Sequence, residues 1–522
     1  MELLTLPQLI STEIVPPTSI LTLTALAFLI PLLHLITHSR RVPEVLTLLG
    51  MAFVAYINIC MAKEVLANGN RIVYGFGGWP APIGIVYEVD QLSAIFSALV
   101  TTVLFFIALY SIGYFNKGHE GRLYLYYTLL LLVEVGMLGV IYTCDIFHMF
   151  VMLEVMSIAA YILVSYELRR VALSASSKYA MFGALATTIF LLGVAYAYGC
   201  FGTVNMADIA AKVRGTEFPL STVVGVPSLG VLILSLTILW AFTFKSAIFP
   251  NHFWLPDAHS EAPTPISALL SGLVVKVGIY GFIRIYVTVL GIDLSRAFLE
   301  VLFILGLATA FIGSLSMLFE YDVKRLIAYS TILNLGLIAL GVSIATQEGL
   351  ASALSYVINH AVTKALAFMS VGIAINALGS RDLRVLEGVG RVCRVVGIAF
   401  ATSMIALGGI PPLNMFMAKL YLYVAILRAK GLWWALIAVA PSVIGFIGYM
   451  RAMYSVCIKP YRAGKPVKTP LSSGIAVAIL TAAVLVLSIL TPYLMSKYLV
   501  GAASQITNYV TYIEVVKEYL TP

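Results

Sequence analysis

Long apolar runs, separated by short polar segments, dominate the chain. Fourteen of them reach the roughly 20 residues that an α-helix needs to cross a bilayer. The predicted spans are 18–38, 43–62, 89–114, 123–143, 146–168, 173–200, 228–250, 263–290, 297–319, 325–346, 350–378, 395–426, 432–457 and 471–495. Several of these runs are long enough to imply tilted or interrupted helices. The pattern therefore predicts an all-α polytopic membrane protein, with an extracellular loop or hairpin at 69–88.

The composition excludes a soluble protein. Of the 522 residues, 61% are hydrophobic and 11% are charged, whereas soluble domains contain about 25% charged residues. The five cysteines stand singly and form no CxxC pair, which argues against an iron–sulfur cluster, a zinc site or a disulfide framework. The chain also lacks a GxGxxG turn after a strand and any haem motif. We therefore expect no cofactor, no metal and no redox catalysis in this chain itself.

Basic residues are distributed unevenly among the loops. The net charge of +8 is better explained by orientation in a membrane than by a nucleic-acid partner, because the basic residues lie in short loops between apolar runs. Loops after odd-numbered spans hold eighteen Lys and Arg residues, and loops after even-numbered spans hold seven. The positive-inside rule then places the odd-numbered loops in the cytoplasm and both termini outside. Glu2 and Glu13, without a basic n-region, argue against a cleaved signal peptide.

Four lysines lie deep inside apolar runs, namely Lys245, Lys276, Lys364 and Lys419. Each costs about 2.5–3.5 kcal/mol on an insertion scale, so the four together cost about 10–14 kcal/mol if they are unpaired. A single lysine in such a place can be a structural anchor or can extend its amine to the interface. Four lysines in spans seven, eight, eleven and twelve favour a path for protons or ions through the protein interior.

Two carboxylates and several histidines add to this path. Glu154 lies in the middle of span five and Glu134 in the middle of span four. A glutamate beside a buried lysine favours the protonated amine, so separating the two makes the lysine release its proton. The alternative for Glu134 is a hydrogen-bonded contact between helices.

The histidines suit relay positions between such sites. His360 precedes Lys364 by four residues, so the two side chains share one face of span eleven. His252 and His259 flank an interruption at the end of span seven, and their alternative role is to cap the broken helix.

Two spans are predicted to be discontinuous, because proline removes a backbone donor and clashes with the preceding turn. Span seven carries Lys245 before Pro250, and span twelve carries Gly-Gly and Pro-Pro pairs before Lys419. Each is the fourth helix of a five-helix group, which is typical of an inverted-repeat transporter. The predicted domains are helices 1–3 (1–122), a first repeat (123–290), an inverted second repeat (297–457), and helix 14 with the C-terminal tail (471–522).

Several segments resemble hallmarks of one family, the antiporter-like membrane subunits of respiratory complex I, Mrp-type sodium/proton antiporters and energy-converting membrane-bound hydrogenases. The similar segments are FPNHFWLPDAHSEAPTPISALLSGLVVKVGIYGFIRIY, DIFHMFVMLEVMSIAAYIL, NHAVTKALAFM and GGIPPLNMFMAKLYL, within a match over about 90–460. The resemblance implies fourteen helices with two inverted five-helix repeats. The phrase LPDAHSEAPTPISALLSGLVVKVGIYGFIRIY, which follows Trp254, is closest to the Mrp D-type and hydrogenase-type branch.

The resemblance also implies roles for individual residues in proton translocation along a hydrated axis in mid-membrane. Protons enter near Glu154 and its paired Lys245, cross by the central Lys276 and the relay His360 with Lys364, and leave near Lys419. Redox chemistry or exchange against sodium would drive this movement. Sequence alone leaves open whether the transported ion is H⁺ or Na⁺.

The implied partners are other membrane subunits of one complex, including similar antiporter-like chains, together with lipids. A soluble redox arm would belong to the same complex, and partner subunits would then hold iron–sulfur clusters or a nickel–iron centre. Two other hypotheses stay open. One is an autonomous sodium/proton exchanger, and the other is a passive membrane scaffold for a redox arm.

Overall fold

The computed structural model describes residues 11–79, 84–115, 122–215 and 227–520. Glu2 and Lys117, which entered the signal-peptide and loop-charge arguments, lie outside these ranges. Within them, thirteen helices are long and apolar enough to cross a membrane. The helices are α1 (Val15–Thr37), α2 (Arg41–Asn68), α3 (Gln91–Tyr114), α4 (Leu123–Tyr142), α5 (Ile146–Val164), α6 (Arg170–Phe201), α7 (Met206–Val213), α8 (Pro227–Lys245), α9 (Trp254–Glu261), α10 (Thr264–Val289), α11 (Ile292–Phe319), α12 (Val323–Ile344), α13 (Gln347–Leu378), α14 (Val389–Val392), α15 (Arg394–Gly408), α16 (Asn414–Lys430), α17 (Leu432–Ile458), α18 (Leu471–Thr507) and α19 (Tyr509–Leu520).

The two interruptions lie where the sequence predicts them. The seventh crossing divides into α8, which is one of the thirteen long helices, and the short α9. The twelfth divides into α15 and α16 and adds one crossing to the thirteen, so the described residues make fourteen. Pro250 lies in the first break, and Pro411 and Pro412 lie in the second. Gly409 ends α15 with a φ of 79°, a backbone conformation that glycine adopts without strain. The all-α polytopic fold with two discontinuous helices is confirmed.

The expected loop or hairpin at 69–88 contains two paired strands, and its residues 80–83 lie outside the described ranges. Strands β1 (Ile72–Gly75) and β2 (Val86–Val89) pair antiparallel, with Ile72 opposite Val89. The short helices α7 and α19 were not predicted, because each is too short to stand out as an apolar run.

A close glycine contact occurs between the first two helices of each five-helix group. In the first group, a Cβ on Gly136 of α4 would lie 2.5 Å from the backbone nitrogen of Met156 in α5. In the second group, a Cβ on Gly313 of α11 would lie 2.4 Å from the backbone nitrogen of Leu333 in α12. Close packing of small residues is a main source of helix association in a membrane, where lipid is as apolar as the side chains. The matching contacts agree with two repeats related in structure.

Helix α10 lies at the centre of the molecule, and all of its most apolar stretch is buried. It packs against α3, α8 and α13. Two π-helical stretches interrupt it, Leu270–Val274 and Ile283–Val289. Such stretches shift backbone hydrogen bonds and often mark functional positions.

The loops after odd-numbered crossings meet on one face of the bundle, here called the basic face. Arg381 contacts Glu261 at 3.0 Å and Asp322 at 3.1 Å, while Arg169 contacts the same Glu261 at 3.6 Å. These ion pairs join the α5–α6 loop, the α9–α10 junction, the start of α12 and the segment after α13.

A second group of charges lies on the opposite face, which carries the β-hairpin. Arg284 contacts Asp90 at 2.8 Å and Glu88 at 3.6 Å, and Arg71 contacts Glu88 at 2.6 Å. All four side chains are at most 2% exposed. Burial alone would raise the pKa of the Asp90 carboxyl, but the guanidinium of Arg284 and its hydrogen bonds lower that pKa to about 2. The network ties the hairpin and the start of α3 to the end of α10.

We predict that Arg284→Met lowers the thermal unfolding midpoint of the purified protein. The substitution leaves Asp90 buried without its ion-pair partner, whereas Glu88 keeps Arg71. Breaking a buried ion pair in this way costs about 3–5 kcal/mol. Arg384→Met is the control. Arg384 also forms an ion pair, with Asp382, but the Arg384 side chain is 69% exposed. Adding Asp90→Asn to Arg284→Met should restore part of the midpoint. Equal midpoints for Arg284→Met and the control would contradict a stabilising role of the network.

Candidate functional site

Glu154 and Lys245 approach each other between α5 and the end of α8. Lys245 is the last residue of α8, where the chain leaves the helix, and its side chain is buried. Its Nζ donates a hydrogen bond to Ser157 Oγ at 2.6 Å, and the charge of Glu154 acts on it. Glu154 Oε1 is buried and has no hydrogen-bond partner within the described residues. A buried amine and a carboxylate with spare acceptor capacity therefore lie at one place.

Lys276 lies in α10, directly after the first π-helical stretch. Its amine donates to the backbone oxygen of Ser271, five residues earlier, inside that stretch. The backbone of the interrupted helix thus holds the buried lysine. Two residues later, Gly278 lets α10 approach the first break, since a Cβ there would lie 3.1 Å from the Cβ of Lys245.

Lys364 and His360 occupy one face of α13, as the spacing predicts. Lys364 Nζ donates to the backbone oxygen of Ile327 at 2.9 Å and to Ser330 Oγ, both in α12. His360 is buried, and neither of its ring nitrogens has a hydrogen-bond partner within the described residues. The basic groups nearest to its ring are Lys276, Lys364 and Lys419. A histidine with two available nitrogens therefore lies among three lysines.

Lys419 lies just after the second break. Its Nζ donates to the backbone oxygen of Leu407 at 2.8 Å, in the last turn of α15. The final carbonyls of a helix lack intrahelical partners and attract a cation. Lys419 also lines a cavity of about 370 Å³ between α16 and α17, together with Tyr423 and Phe446. Lys245 lies before the first helix break, whereas Lys419 lies after the second.

His259, His252 and Glu134 lie in different surroundings. The ring of His259 stacks on Phe368 with centroids 5.0 Å apart, and the basic groups near it are Lys324, Lys364 and Lys276. His252 is half-buried in the break after α8, beside the Phe249 ring. Glu134 is buried in α4, and both of its carboxylate oxygens lack a partner in the described part of the chain. Among the described residues, Glu134 therefore makes no side-chain hydrogen bond of the kind that is its alternative role.

The structure thus brings most of the predicted residues into two adjoining groups. Glu154 and Lys245 form the first. The second contains Lys276, Lys364, Lys419, His360 and His259. Among the described ranges, no group of three or more His, Cys, Asp and Glu side chains could hold a metal ion.

Sequence reasoning misplaced one residue of this region. Lys324, which directly precedes the predicted span 325–346, is one of the eighteen basic residues assigned to the odd-numbered loops. In the structure it is 3% exposed, and its Nζ donates to the backbone oxygen of Ala262. Asp322 caps α12 by accepting from the backbone nitrogen of Lys324 at 2.8 Å, so the lysine belongs to the first helical turn. The Asp-Val-Lys-Arg sequence contains the capping signal for α12. The burial of the lysine depends instead on its contact with the neighbouring helix α9.

Relatives and solved structures resemble the chain over most of its length. The D-type subunit of the Na(+)/H(+) antiporter of Alkalihalophilus pseudofirmus is 32% identical over 419 residues, which are 79% of this chain and 81% of that protein. The D-type subunit of the Na(+)/H(+) antiporter of Bacillus subtilis is 31% identical over 401 residues, 76% of this chain and 78% of that protein.

Two solved complexes contain chains of the same fold. One chain belongs to the membrane-bound sulfane sulfur reductase, an archaeal respiratory membrane complex, with a TM-score of 0.88, 29% identity, and coverage of 96% of this chain and 99% of that chain. A chain of the Mrp complex from Dietzia sp. has a TM-score of 0.86 at 24% identity, with coverage of 98% and 99%, and this likeness concerns the fold.

Two family models match the sequence. That of NADH-ubiquinone oxidoreductase (complex I), chain 5 N-terminus, matches residues 80–127. That of the NADH:quinone oxidoreductase/Mrp antiporter transmembrane family matches residues 143–445, more than half of the chain and including both breaks. The chain therefore belongs to the NADH:quinone oxidoreductase/Mrp antiporter family of membrane subunits.

Proposed function

We propose that this chain is a proton-translocating, antiporter-like subunit of a multisubunit membrane complex. The observation that supports this most directly is the row of buried lysines between the two helix breaks, held by hydroxyl and backbone oxygens. A lysine whose nearest partners are neutral oxygens gains no ion pair that would offset the cost of its charge. Such an amine changes its protonation when a nearby charge moves, and this is the property that a relay needs.

The proposed roles follow the order of the residues along the axis. Glu154 controls the charge of Lys245 at one end. Lys276, Lys364 and His360 pass protons through the centre, and Lys419 exchanges them at the other end. Water would bridge the gaps that are too long for direct transfer. His259, His252 and Glu134 are proposed as auxiliary proton-transfer residues near the breaks and in α4.

The proposed assembly contains other membrane subunits, among them similar antiporter-like chains, with lipids around them. Relatives named as D-type subunits of Na(+)/H(+) antiporters and a similar chain of an archaeal respiratory membrane complex support this setting. If the complex has a soluble redox arm, partner subunits hold its iron–sulfur or nickel–iron centres. We further propose that the basic face lies in the cytoplasm, so that both termini lie outside, and that 123–290 and 297–457 are the two repeat domains.

The relay is tested by removing its terminal amines. We expect Lys245→Ala and Lys419→Ala each to lower proton translocation by about tenfold or more, since a positioned proton-transfer group contributes about 10²–10⁴-fold. Lys178→Ala is the control, because Lys178 is an exposed lysine paired with Asp257 at 3.3 Å. The measurement is the initial rate of proton movement in membrane vesicles that contain the assembled complex. Wild-type rates in both relay variants would contradict the proposal and would favour a passive scaffold.

Dependence on partner subunits is tested by comparing the purified chain with the whole complex in liposomes. We expect the single chain to move neither H⁺ nor Na⁺ above the background, whereas the complex moves protons under the same gradient. Mass spectrometry of the affinity-purified complex should identify further membrane subunits. Rapid exchange by the single chain would instead establish an autonomous sodium/proton exchanger.

Orientation is tested with two cysteine substitutions at exposed positions on opposite faces. Lys465 lies in the α17–α18 loop on the basic face, and Ser504 lies near the end of α18 on the hairpin face. We expect a membrane-impermeant maleimide to label Lys465→Cys only from the cytoplasmic side and Ser504→Cys only from outside. The unsubstituted chain measures labelling of the native cysteines. The reverse pattern would invert the proposed orientation.

A further inference from the structure

A polar cavity of about 520 Å³ lies on the basic face, where several loops and helix ends meet. Its charged lining consists of Glu167, Arg169, Lys324 and Arg381. The side chain of Arg169 is 50% exposed and that of Arg381 is 30% exposed, so the cavity is continuous with the surface. A polar space of this size has room for several water molecules.

Lys324 is the most deeply buried of these charged residues. It is 3% exposed, and its amine donates to the backbone oxygens of Ala262 and Ser260 at the end of α9. The nearby carboxylates of Glu261 and Asp322 both contact Arg381, at 3.0 and 3.1 Å. Lys324 therefore faces neutral acceptors, as the lysines of the axis do, although it lies at the surface end of the helices.

His259 lies next to the carbonyl groups that Lys324 contacts. Both of its ring nitrogens are buried and have no hydrogen-bond partner within the described residues. On the side of the axis, its ring stacks on Phe368 of α13 with centroids 5.0 Å apart, one helical turn after Lys364. A histidine can accept a proton on one nitrogen and donate from the other. Its position between the two sets of lysines suits such a transfer.

We propose that Lys324 and His259 form a proton inlet, which connects the cavity on the basic face to the central lysines. The inference rests on the proposed relay function. When a proton moves from the cavity toward the central lysines, the Nζ–H bond of protonated Lys324 breaks. An N–H bond forms on the His259 ring, directly or through water. His259 then gives a proton from its other nitrogen to neutral Lys276 or Lys364. Water in the cavity returns a proton to Lys324.

A purely structural role for Lys324 must be distinguished from this one. A cation at the end of α9 is favourable to the helix, whether or not it transfers protons. Arginine separates the two roles, because its guanidinium keeps the charge and the donors but is not deprotonated in proteins. The adjoining cavity has room for the larger side chain.

The experiment measures proton movement by the assembled complex in membrane vesicles for Lys324→Arg, Lys324→Met and wild type. We expect Lys324→Arg to lose about tenfold or more of the rate while the complex assembles normally. Lys178→Arg, a change at an exposed lysine of the same face, should leave the rate unchanged. A wild-type rate in Lys324→Arg would overturn the inlet, and a loss in Lys324→Met alone would identify a structural lysine.

Lys245→Ala, measured in parallel, separates failure of the inlet from failure of the relay. If Lys245→Ala abolishes translocation and Lys324→Arg does not, the inlet is wrong and the relay stands. If Lys245→Ala keeps the wild-type rate, the relay on which the inlet depends is wrong as well.

A second measurement does not depend on transport or on a stable Lys324 variant. Thr264 lines the cavity and is fully buried, whereas Ala377 is exposed on the same face. A small water-soluble thiol reagent added on the basic-face side should label Thr264→Cys as well as Ala377→Cys. Labelling of Ala377→Cys without Thr264→Cys would show that the reagent does not reach the cavity floor, and this would overturn the open cavity on which the inlet depends.

Discussion

The cost of placing an amine in the membrane interior is the constraint on which this structure depends. A lysine at the centre of a helix costs about 2.5–3.5 kcal/mol, and hydrocarbon offers no hydrogen-bond acceptor to lower this cost. The protein therefore brings its own oxygens to each buried amine. The hydroxyl oxygen of Ser157 accepts a hydrogen bond from Lys245. The carbonyl of Ser271 accepts one from Lys276, and the carbonyl of Leu407 accepts one from Lys419.

Interrupted helices supply two of these oxygens. A continuous helix uses its carbonyls internally, so irregular backbone at membrane depth is tolerated only where it is buried in protein or lines a cavity. The end of α15 offers the carbonyl that binds Lys419, and the π-helical stretch of α10 offers the one that binds Lys276. The proline-containing break and the π-helical stretch thus provide hydrogen-bond acceptors for the lysines beside them. Close contacts at glycines, such as Gly278 beside Lys245, bring the interrupted segments near one another.

The two faces of the molecule use charge in different ways. On the hairpin face, Arg284 is matched by Asp90 and Glu88, and the resulting buried network holds the hairpin to the bundle. On the basic face, Arg381 forms ion pairs with Glu261 and Asp322. The amine of the nearby Lys324 donates to a backbone carbonyl instead. Matched charges stabilise one arrangement, whereas an amine without a carboxylate partner remains responsive to its surroundings.

The sequence by itself determined the fourteen crossings, the two breaks and the four lysines in mid-membrane. Each of these depends on local properties, namely the length of an apolar run, the missing donor of proline and the rarity of charge in such runs. Only the tertiary structure decided which side chains meet. Arg284 and Lys324 lie near predicted span ends and look like interface residues in the sequence, yet both are buried. Their burial depends on the β-hairpin and on α9, which are distant along the chain, and no local pattern encodes such long-range contacts.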